Sequence, residues 1–226
     1  MACFGAMATT IPILVEVGTK RVFAMARDWP GWSRRGRDEM AAVESLDAYA
    51  DRYGAVVAGI GGRDDVRAGV VFEVVERFRG GPGTDFGAPD TQPAVDASPV
   101  AGRDLERLVA ILRACWDAFD AAATAAGDAA LRTGPRGGGR DLAKILAHVT
   151  ESAAAHLRSV GGRASSEASL EQIREAYVEA VRARARGELP DVGPRGGKRW
   201  SARFGVRYAA WHALDHAWEI EDRVER

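Results

Sequence analysis

Ser201-Ala-Arg-Phe-Gly-Val-Arg-Tyr-Ala-Ala-Trp-His-Ala-Leu-Asp-His-Ala-Trp-Glu-Ile-Glu-Asp-Arg-Val224 is the longest and most aromatic amphipathic stretch of the chain. Phe204, Tyr208, Trp211 and Trp218 recur at spacings of four, three and seven, which predicts a helix with a wide apolar face. Three more segments upstream show the same period. Asp104 to about Ala125 gathers Leu105, Leu108, Val109, Leu112, Trp116 and Phe119 on one side, with Asp104 as the expected cap. Arg140 to Val160 repeats the pattern through Leu142, Ile145, Leu146 and Val149, and Ser169 to Arg186 through Leu170, Ile173, Tyr177 and Val181. The third helix opens with Ser169-Leu-Glu-Gln172, the residues of a capping box. Four amphipathic helices of similar length, joined by loops with Gly and Pro, predict an up-down four-helix bundle over residues 104–226.

Residues 80–103 are rich in Gly, Pro and Asp, follow neither a helical nor a strand period, and are expected to be a linker. Before them the pattern changes. Ile11 to Val17 and Arg21 to Ala26 are short, rich in Val, Ile and Phe, and separated by Gly18-Thr-Lys, as in a hairpin. Asp38 to Tyr53 places Met40, Val43, Leu46, Ala50 and Tyr53 at helical spacing, and Val70 to Phe78 alternates as a returning strand. Residues 1–79 therefore read as strand, strand, helix, strand, and the chain as α+β. Trp29 and Trp32 flank the Pro30-Gly31 turn, where core packing is the default reading for two large aromatic side chains.

With 46% apolar and 28% charged residues the chain has the balance of a soluble globular protein. Its formal charge of -1 conceals no polycationic segment, so the electrostatic footprint of a nucleic-acid partner is missing and none is expected. No apolar run approaches the roughly 18 residues of a membrane span, and the N-terminus lacks the basic and apolar regions of a signal peptide, so the expectation is a cytoplasmic protein without a membrane partner. Cys3 and Cys115 are too isolated in pattern to suggest a disulfide framework, and Cys115 reads as a small core residue.

All four histidines follow residue 140. His212 and His216 are four apart and emerge one turn apart from the same helix face, a spacing at which two imidazoles can share an ion. His148 stands among Ile145, Leu146 and Val149, where it can be aimed at that pair. Three imidazoles and an open position suit zinc, nickel or ferrous iron, while ordinary core or surface histidines are the competing reading. His156, eight residues past His148 and about 80° around the helix, is expected to be peripheral. His212-Ala-Leu-Asp-His216 lacks the Glu that follows the first His in zinc metalloproteases, which removes that class.

Leu146-Ala-His148-Val-Thr-Glu151 and Trp211-His212-Ala-Leu-Asp-His216-Ala-Trp-Glu219 resemble the signature segments of the DinB-like superfamily. These are four-helix bundles that include metal-dependent enzymes and thiol-dependent transferases. The likeness covers residues 104–226 and implies that His148, His212 and His216 are the metal ligands. It also implies a hydrolase or a thiol-dependent transferase or isomerase acting on a small molecule, with a low-molecular-weight thiol as co-substrate.

Helical phase offers carboxylate partners for the imidazoles. Glu151, Asp215 and Glu219 each follow a histidine by three residues and can accept its second N–H, although Glu219 with Arg223 also makes an ordinary surface pair. Arg199, Arg203 and Arg207 open the last helix as a cationic group for an anionic substrate or cofactor, or as a solvated face.

The N-terminal unit resembles HicB-like domains, in which a strand ends in an Asp-x-Pro-Gly-like turn and a charged helix follows. Asp28, Pro30, Gly31, Gly36 and the helix from Asp38 carry this likeness over residues 13–77. The DNA-binding segment usual in those proteins has no counterpart here, so operator binding and toxin neutralisation are not implied. The leading expectation is a metal-dependent enzyme with an accessory N-terminal unit. The alternative is a non-catalytic metal-binding or protein-interaction module built on the HicB-like unit, and either allows a homodimer.

Overall fold

In a computed structural model the described residues are 9–61, 66–133 and 139–225. Cys3 lies outside them. The chain forms two compact units, Met1–Pro93 and Ala94–Arg226.

The first unit is a four-stranded sheet with helices. Strands β1 (Thr10–Val17), β2 (Val22–Ala26) and β3 (Ser33–Gly36) run antiparallel in succession, and β4 (Val71–Arg79) lies parallel to β1 at the other edge, giving the order β3-β2-β1-β4. A parallel partner requires a crossover. It contains α1 (Glu39–Ala48) and α2 (Ala50–Val56), which divide the single helix expected over 38–53 at Tyr49. Asp38 caps α1 by accepting the Ala41 N–H at 2.8 Å. The expected strands are present, and β3 is an addition. Its Ser-Arg-Arg-Gly sequence has no strand-like apolar pattern; it is placed by the Pro30-Gly31 turn, with Gly31 at φ 97° returning the chain along β2.

Trp29 and Trp32 are both buried. Trp32 stacks on Tyr53 with ring centroids 5.6 Å apart and donates its indole N–H to the Leu46 carbonyl at 2.8 Å, while the Tyr53 hydroxyl donates to the Pro30 carbonyl at 2.7 Å. The tryptophans thus fasten the turn to α1 and α2. Gly36 is required here, because a Cβ would lie 2.3 Å from the Ala42 nitrogen.

Residues 80–103 are more ordered than a linker. Pro82–Phe86 forms α3, and Ala94–Ala97 a turn of 3-10 helix. Thr84, buried, donates to Oε1 of the buried Glu16 at 2.5 Å and accepts the Gly81 N–H at 2.9 Å. Asp85 accepts from the Thr19 hydroxyl and, at 2.7 Å, from the Lys20 N–H. Side-chain bonds to distant partners hold the segment, and these leave no periodic trace in sequence.

The second unit contains four long helices: α4 (Gly102–Ala126), α5 (Leu142–Val160), α6 (Leu170–Ala185) and α7 (Ala202–Arg223). Asp141, Ser169 and Ser201 cap α5, α6 and α7 through their side chains, and Ser169 with Gln172 completes the capping box. Asp104 is not a cap: α4 starts earlier, Ala101 occupies the cap position, and Asp104 contributes negative charge to the first turn instead.

The core is formed by Leu108, Leu112, Trp116 and Phe119 of α4, Ile145, Val149 and Leu157 of α5, Ile173, Tyr177 and Val181 of α6, and Phe204, Trp211, Leu214 and Trp218 of α7. Cys115 is buried among them. Leu146, expected inward, is exposed. Gly205 permits close packing of α7, since a Cβ there would lie 2.6 Å from a Val160 methyl; its carbonyl accepts the Tyr177 hydroxyl at 3.0 Å. No helix of the described residues is long and apolar enough to cross a membrane.

Candidate metal centre

His148 from α5 and His212 and His216 from α7 converge, each offering a ring nitrogen within 4.8 Å of the others. The helical repeat puts His212 and His216 about 40° apart in phase and about 6 Å apart along α7. Val149 and Ile145 anchor the inner face of α5 and turn His148 towards them. The His148 and His212 Nε2 atoms are 3.3 Å apart. Two nitrogens bound tetrahedrally to zinc at about 2.0–2.1 Å stand about 3.3–3.4 Å from each other, so this pair already has the separation of adjacent ligands.

His216 is buried, and its Nδ1 lies 2.9 Å from Oε2 of Glu219. With the proton on Nδ1 donated to the carboxylate, Nε2 carries the lone pair. Glu219 is held in turn by Arg223, whose Nη1 donates to Oε1 at 2.5 Å. Arg223 also donates to the Arg132 carbonyl at 2.9 Å and the Arg140 carbonyl at 2.8 Å. Glu219 thus places one oxygen on the imidazole and the other on the i+4 arginine. Of the other carboxylates singled out in the sequence, Glu151 is exposed and acts on His148 only through its charge, and Asp215 is half-buried on α7.

The surroundings of His148 and His212 favour their neutral rings. Burial, then the Arg140 and His216 charges, lower the His148 pKa; burial and the neighbouring histidines lower that of His212 strongly. Neutral imidazoles are the form that ligates. The hydrogen bond from His216, followed by Arg223, holds Glu219 below the usual carboxylate range against the opposing effect of burial.

His156 is not peripheral. Its ring meets the His212 and Tyr208 rings edge-on, each at 5.0 Å between centroids, and burial drops its pKa to about 4. An apolar stripe on a packed helix is at least 100° wide, so a residue 80° from His148 still lies within it. Arg140 also bears on the site through its charge on His148 and His212; the helix expected from Arg140 starts only at Leu142, after the Asp141 cap, so Arg140 stands just ahead of α5.

A narrow cavity of about 20 Å3 beside His212 and His156 is walled by Trp116, Val149, Ile173 and Tyr177. It is comparable to the space of a single water, too small for a substrate. His148 and His212 are half-buried and His216 is buried. Cys115, buried and with its thiol pushed up by burial, supplies no nucleophile.

The three arginines that open the last helix do not form one cationic group. Arg207 is buried and forks onto Asp96 at 2.6 and 2.9 Å; Arg203 reaches the Ser98 and Pro99 carbonyls at 3.3 and 3.4 Å; Arg199 turns to the Arg158 carbonyl. No family model, curated protein or solved structure matches the chain.

Proposed function

We propose that residues 104–226 form a DinB-like four-helix bundle that holds one divalent ion between His148, His212 and His216, and that the protein is a metal-dependent enzyme acting on a small molecule. The reading rests on the 3.3 Å approach of the His148 and His212 Nε2 atoms beside a His216 whose other nitrogen is already committed to Glu219. Three imidazoles with no carboxylate among the ligands suit zinc, nickel or ferrous iron. Such an ion, when bound, supplies Lewis acidity to a coordinated water, thiol or carbonyl oxygen.

Hydrolysis and thiol-dependent transfer or isomerisation are both compatible with this donor set. A thiol in the reaction would come from a low-molecular-weight co-substrate, since Cys115 is enclosed in the core. Glu219 orients His216, Arg223 fixes Glu219, and His156 with Tyr208 walls one side of His212. The HicB-like sheet unit is an accessory to this centre. The test is elemental analysis of the purified full chain beside His148→Ala and His212→Ala. About one metal equivalent in the native protein and loss in both variants is the expected result; native protein that stays metal-free after supplementation with zinc, nickel and ferrous iron would refute it.

A further inference from the structure

Ten residues beyond His148, about 15 Å along α5, the helix ends in an open pocket of about 620 Å3. Arg158, Arg163, Arg195, Lys198 and Arg199 all line it, and no carboxylate does. None of the five forms an ion pair with a described residue. By contrast Arg113, Arg174, Arg182 and Arg207 of the same unit each hold a carboxylate. What sets this pocket apart is that five cations share one lining with no carboxylate among them.

The loop between α6 and α7 supplies part of the lining. Gly193 N–H donates to the Gly197 carbonyl at 2.7 Å, Gly196 N–H to the Gly193 carbonyl at 2.9 Å, and Val192 bridges Lys198. Arg195 and Lys198 are therefore carried on a closed turn. Gly193 also makes room for Arg199, whose guanidinium lies 3.0 Å from where a Cβ would stand. Arg199 donates through Nη1 to the Arg158 carbonyl, and its Nε is buried with no acceptor among the described residues. The C-terminal end of α5 contributes about half a negative charge, which five cations greatly exceed. Charges of one sign lining a concavity raise its potential and draw anions into it.

We propose that this pocket binds a small molecule bearing a diphosphate group. Its volume falls in the range of small-molecule sites, roughly 300–1,000 Å3, and the guanidinium groups of Arg158, Arg163 and Arg195 in its lining are of the kind that pair with phosphate oxygens. The site is separate from the histidines and does not depend on a metal there.

Calorimetric titration of inorganic pyrophosphate into the full-length, chelator-treated protein tests the assignment, with citrate as a carboxylate probe and a single-stranded oligonucleotide as a polymeric one. Saturable one-to-one binding of pyrophosphate is expected, weakened at least about tenfold by Arg195→Ala with Lys198→Ala and by raising salt from about 50 to about 200 mM. Replacing the exposed Arg103 of α4 by Ala should leave it unchanged, as should His212→Ala, which separates failure here from failure of the metal site. Both loop residues are exposed, and circular dichroism verifies folding of the variants. Absence of saturable binding at millimolar pyrophosphate, insensitivity to the double substitution, loss in His212→Ala, or binding confined to citrate or to the oligonucleotide would each overturn the proposal.

Discussion

Nδ1 of His216 lies 2.9 Å from Oε2 of Glu219 on the next turn of α7. That bond fixes the tautomer that leaves Nε2 free to ligate, and makes Glu219 a positioning residue rather than a ligand. Glu219→Gln should keep the fold but lower metal affinity about 10- to 100-fold, measured by chelator competition. Unchanged affinity would show that the carboxylate serves only Arg223.

His156 lies against His212 without belonging to the converging triad. His156→Phe preserves the aromatic wall, so the protein should retain its full metal content by elemental analysis while His212→Ala loses it. A fall in metal content with His156→Phe would make His156 a ligand.

The Arg207–Asp96 pair is nearly inaccessible, with Arg207 5% and Asp96 1% exposed. Arg207→Met strands a buried carboxylate and should destabilise the second unit by about 3–5 kcal/mol in urea unfolding. Adding Asp96→Asn removes the stranded charge and should recover part of the loss; a double variant no better than Arg207→Met would show that lost packing, not the charge, dominates.

Burial pushes Glu16 up to about 7, the Thr84 hydrogen bond opposing, and its Oε2 has no partner among the described residues. A carboxyl with a raised pKa favours the folded state below its unfolded pKa. That advantage is lost as pH rises from about 4.5 to about 7, because ionisation is easier in the unfolded chain. The first unit should therefore weaken by up to about 3 kcal/mol between those limits, read from hydrogen exchange of β1 amides. Glu16→Gln should abolish the slope, and a slope that survives it must come from another group.

The four long helices were legible because each has a 3.6-residue apolar period, and three of them open on a side-chain cap. Ser169 with Gln172 set the start of α6, whereas α4 begins before Asp104 because its cap position is filled by Ala101, which carries no side-chain signal. Strand β3 was hidden because a four-residue polar strand has no pattern of its own and exists only through β2. Thr84 and Asp96 stood in an aperiodic segment, yet both are buried by side-chain bonds to residues far along the chain. The His148, His212 and His216 convergence followed from phase on two helices. Arg140 acts from just ahead of the α5 cap, and His156 sits on a stripe wider than the phase argument allowed.

The parallel pairing of β1 with β4 has a consequence during synthesis. The hairpin, β3 and α1 leave the ribosome while the strand that completes the sheet, more than fifty residues behind β1, is still being made. Until Val71–Arg79 arrives, one edge of β1 presents unpaired backbone groups beside Ile13 and Val15, whose side chains are wholly buried in the finished unit. Pairings of high sequence separation form slowly and leave such edges open to other chains. Aggregation of nascent or truncated chains should therefore begin at β1, and a chain ending before residue 71 should be far more prone to it than one ending after residue 79.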